Sequence, residues 1–195
     1  MTMKRIGIYS GTFDPVHVGH VAFALQAVEA ARLDGLYFMP ERSPRRDKTP
    51  EHFGHRVAML YRAVRPHRKL RVIEVSSRTF TITKTLPELK KLFPHDQLVF
   101  IFGSDIVGYM ADWPYFSQLK KTAEFCIGLR EGAKEKDVEA ELDRTGIAKS
   151  QRFIIKSYAS AVSSTKIRSA LSKKRTEKGL LTSVHRYAKE EWLYL

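Results

Sequence analysis

With 195 residues, 43% of them hydrophobic and 28% charged, the chain has the balance of one folded domain of ordinary size. That excludes disordered, collagen-like and coiled-coil classes. The 34 Lys and Arg against 21 Asp and Glu give a formal charge of +13, so the partners to look for are anions: nucleic acid, anionic membrane or phosphate-rich small molecules.

In chain order, the apolar runs predict a strand over Arg5–Tyr9 and a helix over Val18–Arg32, with Val21, Leu25, Val28 and Ala31 on one stripe. A second strand covers Leu36–Met39 and closes at Pro40. Glu41–His52 reads as a basic loop punctuated by Pro40, Pro44 and Pro50. Phe53–Val64 is helical, with Val57, Leu60, Tyr61 and Val64 on its apolar face, and Leu70–Val75 is a third strand. Thr81–Phe93 is helical, and Pro87 must fall in its first turns or kink it. Leu98–Phe102 suits the centre of a sheet. Short helices follow at Ile106–Met110 and Tyr115–Lys121, then a strand at Glu124–Leu129 and a charged helix at Ala133–Thr145. Phe153–Lys156 is a last strand. Helices at Ser164–Ser172 and Ser183–Trp192 finish the chain.

Repeated strand–helix alternation predicts an α/β fold: a doubly wound, mostly parallel sheet with helices on both faces, binding its ligand beyond the carboxyl ends of the strands. One domain over 1–195 is expected, helical from about residue 163. Arg130–Arg144 mixes six acids with four bases and reads as a solvated helix face. The lone Cys126 sits in the apolar run Phe125–Ile127, where it reads as a small buried hydrophobe. No stretch reaches the ~18 apolar residues of a membrane span, and the polar start Met1–Tyr9 is no signal peptide. A cytoplasmic location is expected.

The strongest signal is Ser10-Gly11-Thr12-Phe13-Asp14-Pro15-Val16-His17-Val18-Gly19-His20, between the first strand and the first helix. Gly11 permits a tight turn and close approach to a ligand. Exposed N–H groups at a helix start attract anions. His17 and His20 share a face at helical spacing, and Gly19 between them leaves room for a bulky group. The set reads as a polyphosphate clamp. Zinc is the rival, but no further Cys or His stands at suitable spacing. The dinucleotide glycine fingerprint and the phosphate-loop motif are both missing. A second signal is Ser163-Ser164-Thr165-Lys166-Ile167-Arg168, in which Ser163 or Ser164 caps a helix and Arg168 reaches the same anion from one turn in.

Together the two motifs resemble the nucleotidyltransferase superfamily that carries the His-x-Gly-His signature. Within it they resemble the bacterial nicotinate-nucleotide adenylyltransferases. The similarity extends to Met39-Pro40 with Pro44 and Lys48, Thr79-Phe80-Thr81 with Thr85-Leu86, Gly103-Ser104-Asp105 with Trp113 and Leu119, Val184 with Tyr187, and Leu193-Tyr194. Ser10 departs from the family's glycine, Ser43–Lys48 from its Pro-Pro-His-Lys, and Phe80 from its tyrosine in a segment one residue longer.

The resemblance implies a Rossmann-like fold and transfer of AMP from ATP to nicotinate mononucleotide, giving deamido-NAD and pyrophosphate. It implies His17, His20 and Arg168 as catalytic residues. It implies Gly11, Thr12, Phe13, His17, Gly19, His20, Gly103, Asp105, Ser163, Ser164, Thr165 and Arg168 around ATP. Ser10, Thr12, Lys48, Thr81, Thr85 and Trp113 would meet the mononucleotide, and Mg²⁺ would enter with ATP, with no dedicated protein metal site. Several roles stay open on the residues alone. Asp105 accepts from ribose or caps a helix. Trp113 stacks on the pyridine or anchors the core. Lys48 and Arg46 hold a phosphate or are solvated loop charge.

The basic tail (Lys166, Arg168, Lys173, Lys174, Arg175 and Lys178, opposed by Glu177) is assigned to surface charge, because no aromatic-interleaved RNA-binding signature accompanies it. Alternative functions are an adenylyltransferase for nicotinamide mononucleotide or phosphopantetheine, or a catalytically silent nucleotide- or RNA-binding module. Oligomeric state is open, a homo-oligomer included.

Overall fold

The computed structural model describes residues 2–43, 50–156, 162–175 and 177–194; Arg46 and Lys48 lie outside them. Six strands form one parallel sheet: β1 (Arg5–Gly11), β2 (Gly35–Pro40), β3 (Leu70–Val72), β4 (Gln97–Gly103), β5 (Ala123–Leu129) and β6 (Arg152–Lys156), in the order β3-β2-β1-β4-β5-β6. The helices are α1 (Val18–Ala30), α2 (Phe53–Val64), α3 (Ile82–Leu92), α4 (Val107–Met110), α5 (Phe116–Thr122), α6 (Glu135–Thr145), α7 (Ser164–Leu171) and α8 (Thr182–Glu190).

Side-chain alternation along β4 feeds two cores. Leu98, Phe100 and Phe102 pack with α3, α4, α5 and α6, while Val99 and Ile101 pack with α1, α2 and α8. A strand buried on both faces must be apolar throughout, which is why β4 and β5 read so plainly. Cys126 is fully buried in β5, and burial pushes its thiol up to about 12, so it packs as a hydrophobe.

Two expected boundaries and one helix face change for local reasons. β3 ends at Val72, because its partner β2 closes at Pro40, which has no N–H to continue a ladder. α1 stops at Ala30 in a Schellman turn: Leu33 N–H reaches Val28 O at 2.8 Å and Arg32 N–H reaches Glu29 O at 3.1 Å, with Arg32 left-handed at φ 49°. The buried stripe of α2 runs through Arg56, Met59, Leu60 and Ala63, so Tyr61 falls at its rim and is 50% exposed. Pro87 is accommodated inside α3.

The strand order reverses between β1 and β4, so the loops leaving their carboxyl ends diverge and open a crevice there.

Candidate active site

That crevice holds about 1330 Å³. It is bordered by Ser10, Gly11, Thr12, Phe13, His17, Gly19 and His20 of the first motif, and by Gly103 and Asp105 beyond β4. Thr81 and Trp113, and Ser163, Ser164, Thr165 and Arg168 of the second motif, also border it. Thr85 does not. It is fully buried, where its Oγ1 accepts from Thr81 N–H at 3.0 Å and pairs with Ser77 Oγ at 3.0 Å. It holds the start of α3 in place and cannot touch a mononucleotide.

The turn after β1 uses its residues differently from the sequence reading. The left-handed residue is Phe13 (φ 51°), not Gly11. Glycine at 11 leaves room for the Phe13 ring, since a Cβ there would lie 3.0 Å from it, tighter than ordinary contact. That ring is buried against Tyr9 and Phe38, so Phe13 borders the crevice without offering an open stacking face.

The loop is then tied down from several directions. Arg56, fully buried in α2, donates to Thr12 O at 2.7 Å, Glu41 O at 2.8 Å and Glu51 O at 3.0 Å. Tyr194 OH donates to Asp14 Oδ1 at 2.7 Å. Arg168 Nη1 donates to Asp14 O at 2.7 Å and Ser164 Oγ to Pro15 O at 3.0 Å. Ser164 is thus committed to the protein. Ser163 is the N-cap of α7 but makes no capping bond, which leaves first-turn N–H groups for a ligand.

His17 is the N-cap of α1, with extended backbone (φ −143°, ψ 173°), and His20 is at N3. The two do not share a helical face, as the spacing suggested. An N-cap side chain folds back over the first turn and so meets N3. The rings stack with centroids 3.7 Å apart at 26°. His17 N–H donates to His20 Nδ1 at 3.3 Å, which puts the His20 proton on Nε2 and makes that atom a donor. Burial, then the positive Arg130, lowers His17 to about 4. Burial, then His17 and Arg130, holds His20 well below the usual histidine range. Each ring is therefore neutral at pH 7 and offers one N–H without charge.

A pH effect on stability follows. The unfolded chain binds these protons more tightly than the folded one, so stability is full above about pH 6.5 and falls as the pH drops toward about 4. Urea titrations across that window should show a shallower acid-side loss in His17→Gln than in the parent protein. An identical slope would mean that His17 is not held neutral.

Arg130 is a crevice residue that sequence reasoning missed, having placed it on a solvated helix face. It directly follows β5 and lines the crevice. Its Nε donates to Asp105 Oδ1 at 3.0 Å, and its backbone N–H to Ser104 Oγ at 3.0 Å. Gly103 makes room for this pair, since a Cβ there would overlap Asp105 and lie 2.8 Å from Arg130 Nε. The available signal was position: the first residue past an apolar strand stands on the ligand-binding edge.

On the other side of the crevice Trp113 meets Phe102 (centroids 5.5 Å) and Phe80 (6.2 Å), forming an aromatic wall. Ile82 and Thr83, the first residues of α3, border the same region, and the start of that helix has no side-chain cap. Arg78 and Lys84 are exposed and do not line it. Glu41 does, with its Oε1 accepting from Phe80 N–H at 3.4 Å.

The chain is similar to known proteins over nearly its whole length. Residues 8–170 match the cytidylyltransferase-like family. The nicotinate-nucleotide adenylyltransferase of Bacillus subtilis (strain 168) is 33% identical over 198 residues, covering 98% of this chain and 99% of the relative. The fold is that of Plasmodium falciparum nicotinic acid mononucleotide adenylyltransferase complexed with NaAD (TM-score 0.80, 21% identity, covering 98% of this chain and 97% of that one). The same enzyme complexed with APC gives a TM-score of 0.79 at 19% identity, with 98% and 97% covered. The chain belongs to the cytidylyltransferase-like family, among the nicotinate-nucleotide adenylyltransferases.

Proposed function

We propose that this protein transfers AMP from ATP to nicotinate mononucleotide, releasing pyrophosphate and forming deamido-NAD. The observation that carries it is the stacked, neutral His17–His20 pair at the start of α1, in one crevice with Arg168 of α7 and Arg130 beyond β5. A phosphate monoester has its second pKa near ~6 and is mostly dianionic at pH 7, so its oxygen attacks without a strong base. The new bond joins that oxygen to the α-phosphorus. The bond from the α-phosphorus to the β-phosphate oxygen breaks, and pyrophosphate departs with the electron pair. The protein's work is alignment and relief of charge on the phosphoryl oxygens. His17 and His20 supply N–H donors, and Arg168 and Arg130 supply positive charge.

ATP enters as its Mg²⁺ complex, so the ion is part of the substrate. Asp14, Asp105 and Glu41, the carboxylates bordering the crevice among the described residues, each already have a partner, and no three His, Cys, Asp or Glu side chains converge there. That arrangement suits an ion held mainly by phosphates and water. A cytoplasmic location is proposed with this activity. Among the described residues no helix is long and apolar enough to cross a membrane.

The pyridine ring is placed at Phe80, Phe102 and Trp113, with its carboxylate toward the uncapped start of α3. Backbone N–H groups favour a carboxylate over an amide, because charge-assisted bonds are roughly twice as strong as neutral ones. We expect nicotinate mononucleotide to be preferred over nicotinamide mononucleotide by at least about tenfold in kcat/KM, ~1.4 kcal/mol. Competition of the two acceptors in one ATP-limited reaction checks this. Equal yields, or more amide dinucleotide, would assign Glu41 as acceptor for the amide NH₂ and overturn the acid preference.

A further inference from the structure

We infer that Tyr194, in the turn after α8, is a positioning residue for the triphosphate end of the crevice: it fixes the Asp14 carboxylate and, through it, the Arg168 guanidinium. The identity of the ligand at Arg168 rests on the ATP reading above.

Asp14 is buried in the signature loop and 5% exposed. Its Oδ1 takes the Tyr194 hydroxyl at 2.7 Å and, more weakly, Glu51 N–H at 3.4 Å. Tyr194 is itself held by its backbone N–H on Glu51 Oε1 at 3.2 Å. Its backbone is left-handed at φ 65°, a conformation that a non-glycine residue keeps only where its surroundings impose it. Burial and the neighbouring Asp14 raise the phenol far above its ordinary range, so it stays protonated and donates.

With Oδ1 occupied, Oδ2 stands 3.8 Å from Arg168 Nη1, too far for a hydrogen bond. Nη1 instead donates to the Asp14 carbonyl, and the Arg168 side chain keeps 38% of its surface open. The hydroxyl thus prevents a close Asp14–Arg168 ion pair that would draw the guanidinium out of the crevice. A buried carboxylate that loses its best donor turns to the cation within reach.

Tyr194→Phe keeps the ring and removes only the hydroxyl. It is expected to raise KM for MgATP about three- to tenfold, while KM for the acceptor changes less than about twofold. On an Arg168→Lys background the same change should add less than about twofold, because the two side chains act as a unit. Glu51→Ala removes the other anchor of Tyr194, leaves the Glu51 N–H in place, and should show the same selectivity for ATP. Equal rises in both KM values, an unchanged ATP KM, or full additivity overturns the inference, since a merely structural tyrosine behaves that way. Calorimetric titration with a nonhydrolysable MgATP analogue separates the two readings. If the parent protein never turns over nicotinate mononucleotide, the proposed function fails, and the affinity ratio between parent and Tyr194→Phe still decides the tyrosine's role.

Discussion

Replacing either His17 or His20 with alanine is expected to lower kcat by about 10²–10³-fold, the loss that follows removal of one preorganised transition-state donor, ~2.7–4 kcal/mol. Because both rings are neutral, little ground-state attraction for the triphosphate disappears with them. The effect should therefore fall on kcat more than on KM for ATP, and the salt dependence of ATP binding should stay as in the parent. The two losses should not add, because the stacked His17 ring helps to orient His20. Pyrophosphate release by variants with native circular dichroism measures this. Near-normal turnover in a folded double variant would remove the clamp from the mechanism.

Arg168→Lys should lower kcat/KM for ATP by about 10- to 150-fold, the equivalent of ~1.5–3 kcal/mol for a charge-assisted bond. The guanidinium reaches Asp14 O with Nη1, lies 3.5 Å from Thr165 Oγ1 with Nη2, and borders the crevice. An ammonium keeps the charge but loses the planar fork, so it cannot hold the loop and the phosphate together. Initial rates against ATP concentration check this. Unchanged affinity and rate would make Arg168 a structural strap for the signature loop and nothing more.

Much of this was legible in the chain. The central strands announce themselves because both faces of a parallel sheet are covered, which forces runs such as Leu98–Phe102 to be apolar. The first motif locates the crevice because its histidines and glycines follow a strand and open a helix. What escaped depends on contacts between distant segments. Arg56 looks like one more surface cation of α2, and only the converging carbonyls of Thr12, Glu41 and Glu51 explain its burial. Thr85 matches a family position yet turns inward, because the start of α3 needs an acceptor. Arg130 was hidden by the charged helix that follows it, and the neutral state of the histidines by a burial that spacing does not show.

The bond between Tyr194 and Asp14 also bears on how the site comes into being. It links residues 180 positions apart, and Arg168 reaches Asp14 across 154. Closure of so long a loop costs entropy before any contact rewards it, and non-local contacts form late and slowly. During synthesis the sheet strands β1 to β5 can pair well before α7 and the turn after α8 emerge. The nucleotide site is therefore assembled last, and a nascent chain carries the signature histidines long before it can grip a triphosphate. Once assembled, the same linkage makes ATP a clasp between the two ends of the fold, so its binding resists unfolding of the whole sheet rather than of one loop.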